Sequence, residues 1–274
     1  MRCILKLLRC SILIVALSLA GNSMAQESDS QMEIMTNPFR FDGFGAQFQS
    51  IIISAVYAEL HNKQFVYTPF LAMEHNYDND PHFLEKKEQL INFIGHFDIN
   101  EDLSIQPFGW VHEYYDFFES NLARCAESES LKKIAQVFRL GKDKKNYFSD
   151  ENLNIAVHVR RPNSHDSRSD GPDIPDDVYL KIIQRLRDTY SLQHPLFHIY
   201  SQGDPDVFKH CFPFEDIVLH INETVEDTFC SMVLADVLVT SASSLSYVAG
   251  FLSEGTVYYI PFWHPPLPHW VVLN

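Results

Sequence analysis

Basic residues are scarce in this chain. Its 274 residues carry 21 Lys and Arg against 36 Asp and Glu, a formal net charge of −15. Nucleic-acid surfaces and anionic-membrane surfaces need clustered Lys and Arg, so both partner classes are excluded. Cysteine is scarce as well. Of five, Cys3 and Cys10 sit in the first ten residues, leaving Cys125, Cys211 and Cys230. Three cysteines allow at most one disulfide, which excludes a disulfide scaffold, and nothing has metal-site spacing. An Asp-X-Asp motif in a metal-donating context is missing. Asp78-Asn79-Asp80 comes nearest and reads as a turn. There are no internal repeats and no low-complexity tract.

What is present begins with a leader. Arg2, Lys6 and Arg9 precede the apolar stretch Ile12 to Gly21, and Ser23-Met24-Ala25 offers small residues at the positions a signal peptidase reads. The stretch is short for a membrane span, which needs about 20 residues. Residues 1–25 therefore read as a signal peptide, with an uncleaved signal anchor as the alternative. Their removal takes away three positive charges and no acidic one, so −15 becomes −18. Asn222-Glu223-Thr224 is a glycosylation acceptor triplet, usable in a eukaryotic secretory pathway.

The remainder is long enough for one large domain or two compact lobes. The second half alternates apolar runs of strand length with helical periodicity. Strands are expected at 153–159, 196–200, 217–221, 237–240 and 257–260, with helices at 176–190, 205–211, 224–234 and 244–252. Asp176 is read as the cap of the first of these helices. This alternation predicts a parallel sheet covered on both faces, with ligands bound beyond the carboxyl ends of the strands. The first half is less regular. Asp42-Gly43-Phe44-Gly45-Ala46-Gln47 forms a glycine-bearing turn into a helix over 48–60, followed by a strand at 65–68. Helices are expected around 83–94, 111–123 and 131–138. The Lys-bearing stretch 141–152 reads as a hinge between an N-terminal lobe, 26–152, and a C-terminal lobe, 153–274.

Two features carry chemistry. His158-Val159-Arg160-Arg161 sits where a strand opens into a loop. Two adjacent guanidiniums in an acidic protein suit a diphosphate, because Arg presents a planar fork of donors. The competing reading is an ion pair with Asp166 or Asp170. Thr240-Ser241-Ala242-Ser243-Ser244 lies at another strand end before a helix. Hydroxyls and open N–H groups there suit an anion, while simple capping by Ser243 or Ser244 explains them equally. The aromatic cluster Trp110, His112, Tyr114 and Tyr115 reads as core or as a platform for a sugar. Trp263-His264-Pro265-Pro266 either closes the cleft or packs on the sheet.

The strings HVRR, FHIYS and DTFCSMVLADVLVTSASSLSYVAGFL, with the turn DGFGAQFQ, resemble the GDP-fucose-dependent fucosyltransferases. That superfamily includes the α-1,2 and α-1,6 enzymes and the protein O-fucosyltransferases. The resemblance implies a GT-B fold of two Rossmann-like lobes and an inverting transfer without metal or other cofactor. The sugar, expected to be fucose, passes from GDP-fucose to a hydroxyl of a glycan or glycoprotein. It places Arg160 and Arg161 on the donor diphosphate, His158 against the guanosine, and Ser243 and Ser244 on the phosphates. Asp227 would read guanine, unless it is simply an exposed acid near a helix start. The loop after Arg161 departs from the family pattern, and Asp166, Asp170 and His165 are its candidate bases, Asp166 foremost. Another nucleotide sugar, or a secreted carbohydrate-binding protein without transfer activity, are the alternative functions. A leader and a GDP-sugar are compatible in a Golgi or endoplasmic-reticulum lumen supplied by a transporter; a secreted protein is the other expectation. Only an uncleaved anchor would give the chain a membrane partner.

Overall fold

A run of 17 residues that is apolar on nearly every side forms the central helix of the protein, because such a helix is stable only when surrounded. This is α1 (Phe44–Leu60), preceded by β1 (Ile34–Thr36) and followed by β2 (Gln64–Val66), which pair in parallel. Then come α2 (Phe83–Ile91), α3 (Val111–Ser120), α4 (Leu122–Ala126) and α5 (Glu129–Arg139). In this computed structural model the described residues are 32–107, 109–161 and 174–273. The leader, and the loop holding His165, Asp166 and Asp170, lie outside them.

The second half supplies β3 (Leu153–His158), α6 (Asp176–Thr189), β4 (Pro195–Ser201), α7 (Pro205–Cys211) and β5 (Ile217–Ile221). After these come α8 (Val225–Leu234), β6 (Val237–Val239), α9 (Ser244–Leu252), β7 (Thr256–Tyr259) and β8 (Val271–Val272). They build a parallel sheet in the order β5-β4-β3-β6-β7-β8. The chain winds outward from β3 to β5, returns to the middle, and winds the other way from β6. The order therefore reverses between β3 and β6. Alternation along β3 sends Ile155 and Val157 to one apolar core with Ile183, Leu186 and Phe197, and Ala156 to the other. The other core is the larger. It joins Phe44 and Phe48 of α1 to Phe229 of α8 and Tyr247 of α9. Residues from Glu33 onward pack as one unit.

Several expected boundaries move for physical reasons. The first helix starts at Phe44 rather than Phe48, because Gly43 takes the extended conformation of an N-cap and its carbonyl accepts from Gln47 N at 3.1 Å. Asp176 does not cap α6. Pro175 holds the N-cap, and Asp176 and Asp177 fill the first turn, where the helix dipole favours carboxylates. The pattern at 83–94 ends at Ile91, since Asn92 turns left-handed at φ 61°. The pattern at 111–123 breaks at Asn121 into α3 and α4. β1 and β8 were not anticipated. In the stretch read as a hinge, the Lys142 ammonium donates to the carbonyls of Leu90, at 2.9 Å, and Phe138, and Lys144 pairs with Asp236.

Cys125, Cys211 and Cys230 carry free thiols. Among the described residues no helix is long and apolar enough to cross a membrane, and no cluster of three or more His, Cys, Asp or Glu is placed to hold a metal ion.

Candidate functional site

Where the strand order reverses, the turns after β3 and β6 diverge and leave a crevice. A cleft of about 290 Å³ occupies that position. It runs along the carboxyl ends of the strands, from Glu223 after β5, past Gln202 after β4 and Arg160 after β3, to Ser243 and Ser244 after β6.

The two central turns are stitched together. Beyond the β3–β4 ladder, Val159 N donates to the Tyr200 carbonyl at 2.9 Å, and Ser201 Oγ donates to the Val159 carbonyl at 2.6 Å. Arg160 N donates to Ser241 Oγ at 3.2 Å, and the same hydroxyl bonds Tyr179 OH at 2.9 Å. Ser241 N donates to Ser246 Oγ at 3.0 Å, and Ser243 Oγ accepts from Leu245 N at 3.3 Å as the N-cap of α9. Most hydroxyls of the Thr-Ser-Ala-Ser-Ser turn thus shape the turn itself. Ser244, at the first helical position, makes no side-chain hydrogen bond among the described residues and lines the cleft.

The glycine turn closes the other side. Gly45 lies against the backbone of Ser244 and Leu245, so close that a Cβ on it would sit 2.5 Å from Leu245 N. Two helix N-termini, those of α1 and α9, therefore meet at one wall of the cleft. Gly43 makes no side-chain cap, so among the described residues the N-cap covers none of the first N–H groups of α1. Open N–H groups, the positive ends of two helix dipoles and a guanidinium in one crevice make an anion site.

The arginine pair divides. Arg160 lines the cleft. Arg161 reaches the cleft as well, but its guanidinium is tied to Asp176 and to the Ile174 carbonyl at 3.2 Å. Arg161 thus pairs with Asp176, while the ion pair expected with Asp166 or Asp170 falls on a loop outside the described residues. His158 ends β3 beneath the cleft. Burial, reinforced by the Arg160 charge, pushes its pKa down to about 4, so the ring is neutral at pH 7. Its Nδ1 is buried without a hydrogen-bond partner among the described residues.

Five expected site residues come together: His158, Arg160, Arg161, Ser243 and Ser244. Asp227 does not join the lining residues. Its backbone N–H donates to Thr224 Oγ1 at 3.0 Å, and that hydroxyl donates back to its carboxylate at 2.7 Å. Thr224 thus caps α8, and the Asp227 carboxylate is engaged by the capping hydroxyl.

Other lining residues were not anticipated. Glu223 follows β5 at the rim, and Lys87, 2% exposed, reaches in from α2 to pair with Glu226 at 2.6 Å. Lys87 gave no sequence signal, being one charge in an amphipathic helix. Trp263, 64% exposed, stands at the rim, whereas the tail beyond it buries Leu267 and Trp270, so both readings of that segment hold in part. In the aromatic cluster Tyr114 is core, while Trp110 is exposed and lies away from the cleft lining. Asn222, at φ 62° and exposed, exchanges two hydrogen bonds with Gly203 that shape the turn after β5.

No protein-family model and no curated protein matches this chain. Among solved structures, fucosyltransferase NodZ from Bradyrhizobium matches at a TM-score of 0.49 and 12% identity over 86% of this chain and 97% of that one. POFUT1 in complex with GDP matches at 0.46 and 12%, over 84% and 98%. The E. coli heptosyltransferase WaaC matches at 0.45 and 13%, over 89% and 93%.

Proposed function

We propose that the cleft binds a GDP-sugar and transfers its sugar, expected to be fucose, with inversion and without a metal, to a hydroxyl of a glycan or glycoprotein. One observation carries the reading. The HVRR end, the Ser243-Ser244 turn and the glycine turn, far apart in sequence, line one crevice where the strand order reverses. The resemblance drawn from the sequence implies a donor role for the first two of these segments and likens the third to the glycine-rich opening of the N-terminal lobe.

In this reading the diphosphate lies over the N-termini of α1 and α9, with Arg160 taking up the charge that develops on the leaving GDP. Fixed donors in a sheltered crevice serve that purpose without reorganising. Arg161 acts one step back, holding the Arg160 backbone between β3 and α6. The base then lies toward β4 and β5, over neutral His158, with Glu223 rather than Asp227 as the acid that reads the guanine edge. A carboxylate suits that edge by accepting from both N1–H and the exocyclic amine. Transfer also requires a base for the acceptor hydroxyl. Asp166 remains assigned to it, and Glu74 and His75 are the described proton acceptors on the opposite lining of the cleft. The exposed Trp263 ring is the surface we assign to the acceptor. The leader assigns the protein to the secretory lumen or the exterior.

Calorimetric titration of the purified protein with GDP and GDP-fucose, in EDTA and beside UDP and ADP, tests the reading. Micromolar GDP binding that disappears in Arg160→Ala is expected. Absence of binding to every nucleotide would overturn it in favour of a carbohydrate-binding protein.

A further inference from the structure

Four polar side chains form an unbroken row from the buried edge of the sheet to the cleft, and hydrogen-bond bookkeeping fixes where their protons lie. The row begins at Asn154 in β3. Its amide nitrogen donates to the carbonyls of Ser149, at 2.8 Å, and Asn152, at 3.0 Å. Both amide hydrogens are thereby used, and Oδ1 is left facing His198 Nε2 at 3.2 Å. An acceptor there requires that His198 carry its proton on Nε2.

His198 is 5% exposed, and burial, with His220 adding to it, pushes its pKa down to about 4. The ring is therefore neutral, so its Nδ1 is bare and accepts. The group facing it is His220 Nε2 at 3.0 Å, which must donate. His220 Nδ1 in turn lies 2.7 Å from Glu223 Oε1. With Nε2 already protonated, a neutral His220 would set a bare nitrogen against a bare carboxylate oxygen. That arrangement is repulsive, so a proton sits between them. The pair is an imidazolium with a carboxylate or an imidazole with a carboxylic acid, and its net charge is zero in either form.

We propose that Asn154, His198 and His220 act as a positioning relay that keeps one proton on the His220–Glu223 pair and holds the Glu223 carboxyl group at the cleft. The proposal rests on the nucleotide reading of that cleft for its purpose, though not for its proton count. His220 engages Oε1 of a residue that lines the crevice, so the relay sets how the acid is held there. The Tyr200 ring stacks on His220 at 4.5 Å and 12°, fixing the plane in which Nδ1 points.

The groups around His220 are few. From β4 it meets His198 and Tyr200, whose hydroxyl burial holds well above its ordinary range, and from the following turn it meets Glu223. Tyr147 lies beyond Tyr200. The opposite face of β5 turns Ile217, Leu219 and Ile221 into the apolar core beside Phe208 of α7.

Two measurements on the full chain separate the relay from the nucleotide reading. Long-range ¹H–¹⁵N spectra of the histidine rings at pH 7 report each tautomer without any ligand. The expected result is a neutral Nε2–H tautomer for His198 and protons on both nitrogens of His220, the Nδ1 proton shared with Glu223. Glu223→Gln should return His220 to a single proton. A His220 with a bare Nδ1 facing an ionised Glu223 carboxylate in the wild type, or an Nδ1–H tautomer of His198, would overturn the proposal. The second measurement is GDP affinity. His198→Phe and His220→Phe should each weaken it about tenfold, and His220→Gln, which can still donate to Glu223, should recover most of that loss. Unchanged GDP affinity in both Phe variants would also overturn the positioning role. A wild-type spectrum as expected, with no GDP binding, would support the relay and remove the nucleotide reading alone.

Discussion

Replacing Gly45 by alanine places a methyl group inside the junction between α1 and α9. A Cβ built on Gly45 lies 2.5 Å from Leu245 N, 2.7 Å from Leu245 Cα and 2.8 Å from Ser244 C. Ordinary contact begins near 3.4 Å, so the closest pair is 0.9 Å too near. All three opposing atoms are backbone and no rotamer change relieves them, so the two helix starts must separate. Overpacking of this kind costs about 1–3 kcal/mol, and opposing backbone argues for the upper part of that range. The sign is diagnostic, because alanine in a helix is otherwise favoured over glycine by about 0.5–1 kcal/mol. Thermal unfolding should show a lowered midpoint, roughly 2–4 °C for each kcal/mol in a domain of this size. Since the same junction forms the cleft wall, GDP affinity should fall with it. Gly43→Ser is the control. There the added Cβ meets only the ring of His75, a side chain that can swing, and serine is a good N-cap at a backbone φ of −65°. Its stability should change by less than about 0.5 kcal/mol. A Gly45→Ala protein as stable as the wild type, or more so, would refute this account of the junction.

The two arginines should separate. Arg160→Ala should abolish GDP binding, whereas Arg161→Ala should lower the thermal midpoint, and a double-mutant cycle with Asp176→Ala should give a coupling of about 1 kcal/mol for this part-buried pair. The protein should lose stability in acid. His158 and His198 have folded pKa values near 4 against 6.5 when unfolded, so the unfolded chain binds the extra protons first. Stability is then full above pH 6.5 and falls by about 3 kcal/mol per ring as pH drops to 4. Urea midpoints measured across that range in wild type and His158→Gln check it, the variant showing a shallower fall. Asn222→Ala should cost about 1–3 kcal/mol, having lost both bonds to Gly203 and, with them, the side chain that favours the left-handed backbone at φ 62°. Asn222→Gly should recover only the backbone part, as chemical denaturation of the three proteins would show.

The second half of the chain was legible because two short-range signals agreed there. Apolar runs such as Ile155 to Val159 have strand length, and the segments between them repeat at helical spacing, so a parallel sheet with helices on both faces was the only economical packing. Ser243 and Thr224 sit at the predicted helix starts and do cap them. The first half was less legible because tertiary packing sets its boundaries. Nothing local makes Phe44-Gly45-Ala46 a helix. Gly45 is there because another backbone passes within contact distance, and that backbone is 200 residues away. β1 and β8 are three and two residues long, too short to show alternation, and exist only as partners of β2 and β7. In the site, residue type was easier to read than direction. Asp227 carries a carboxylate in the right segment, yet the Thr224 hydroxyl turns it to the helix start. Glu223 reaches the cleft because Asn222 adopts a left-handed conformation just before it, a turn that one sequence does not disclose.

Two adjacent identical side chains nonetheless acquire different work, and the fold explains why. β3 ends at His158, so Arg160 and Arg161 leave the strand in succession with their side chains diverging. One neighbour is the β6 turn, which takes the Arg160 backbone on Ser241 where Arg160 lines the crevice. The other is the start of α6, where Asp176 and Asp177 occupy the first turn and Asp176 captures Arg161. An acidic helix start beside a phosphate site would repel the ligand if left uncompensated. Arg161 neutralises it, and Arg160 and the two helix N-termini remain along the crevice as groups suited to an anion. Asp176→Asn should therefore tighten nucleotide binding by releasing Arg161 toward the cleft, while lowering stability. If calorimetry showed weaker binding instead, Arg161 would be serving the ligand only through its place on α6.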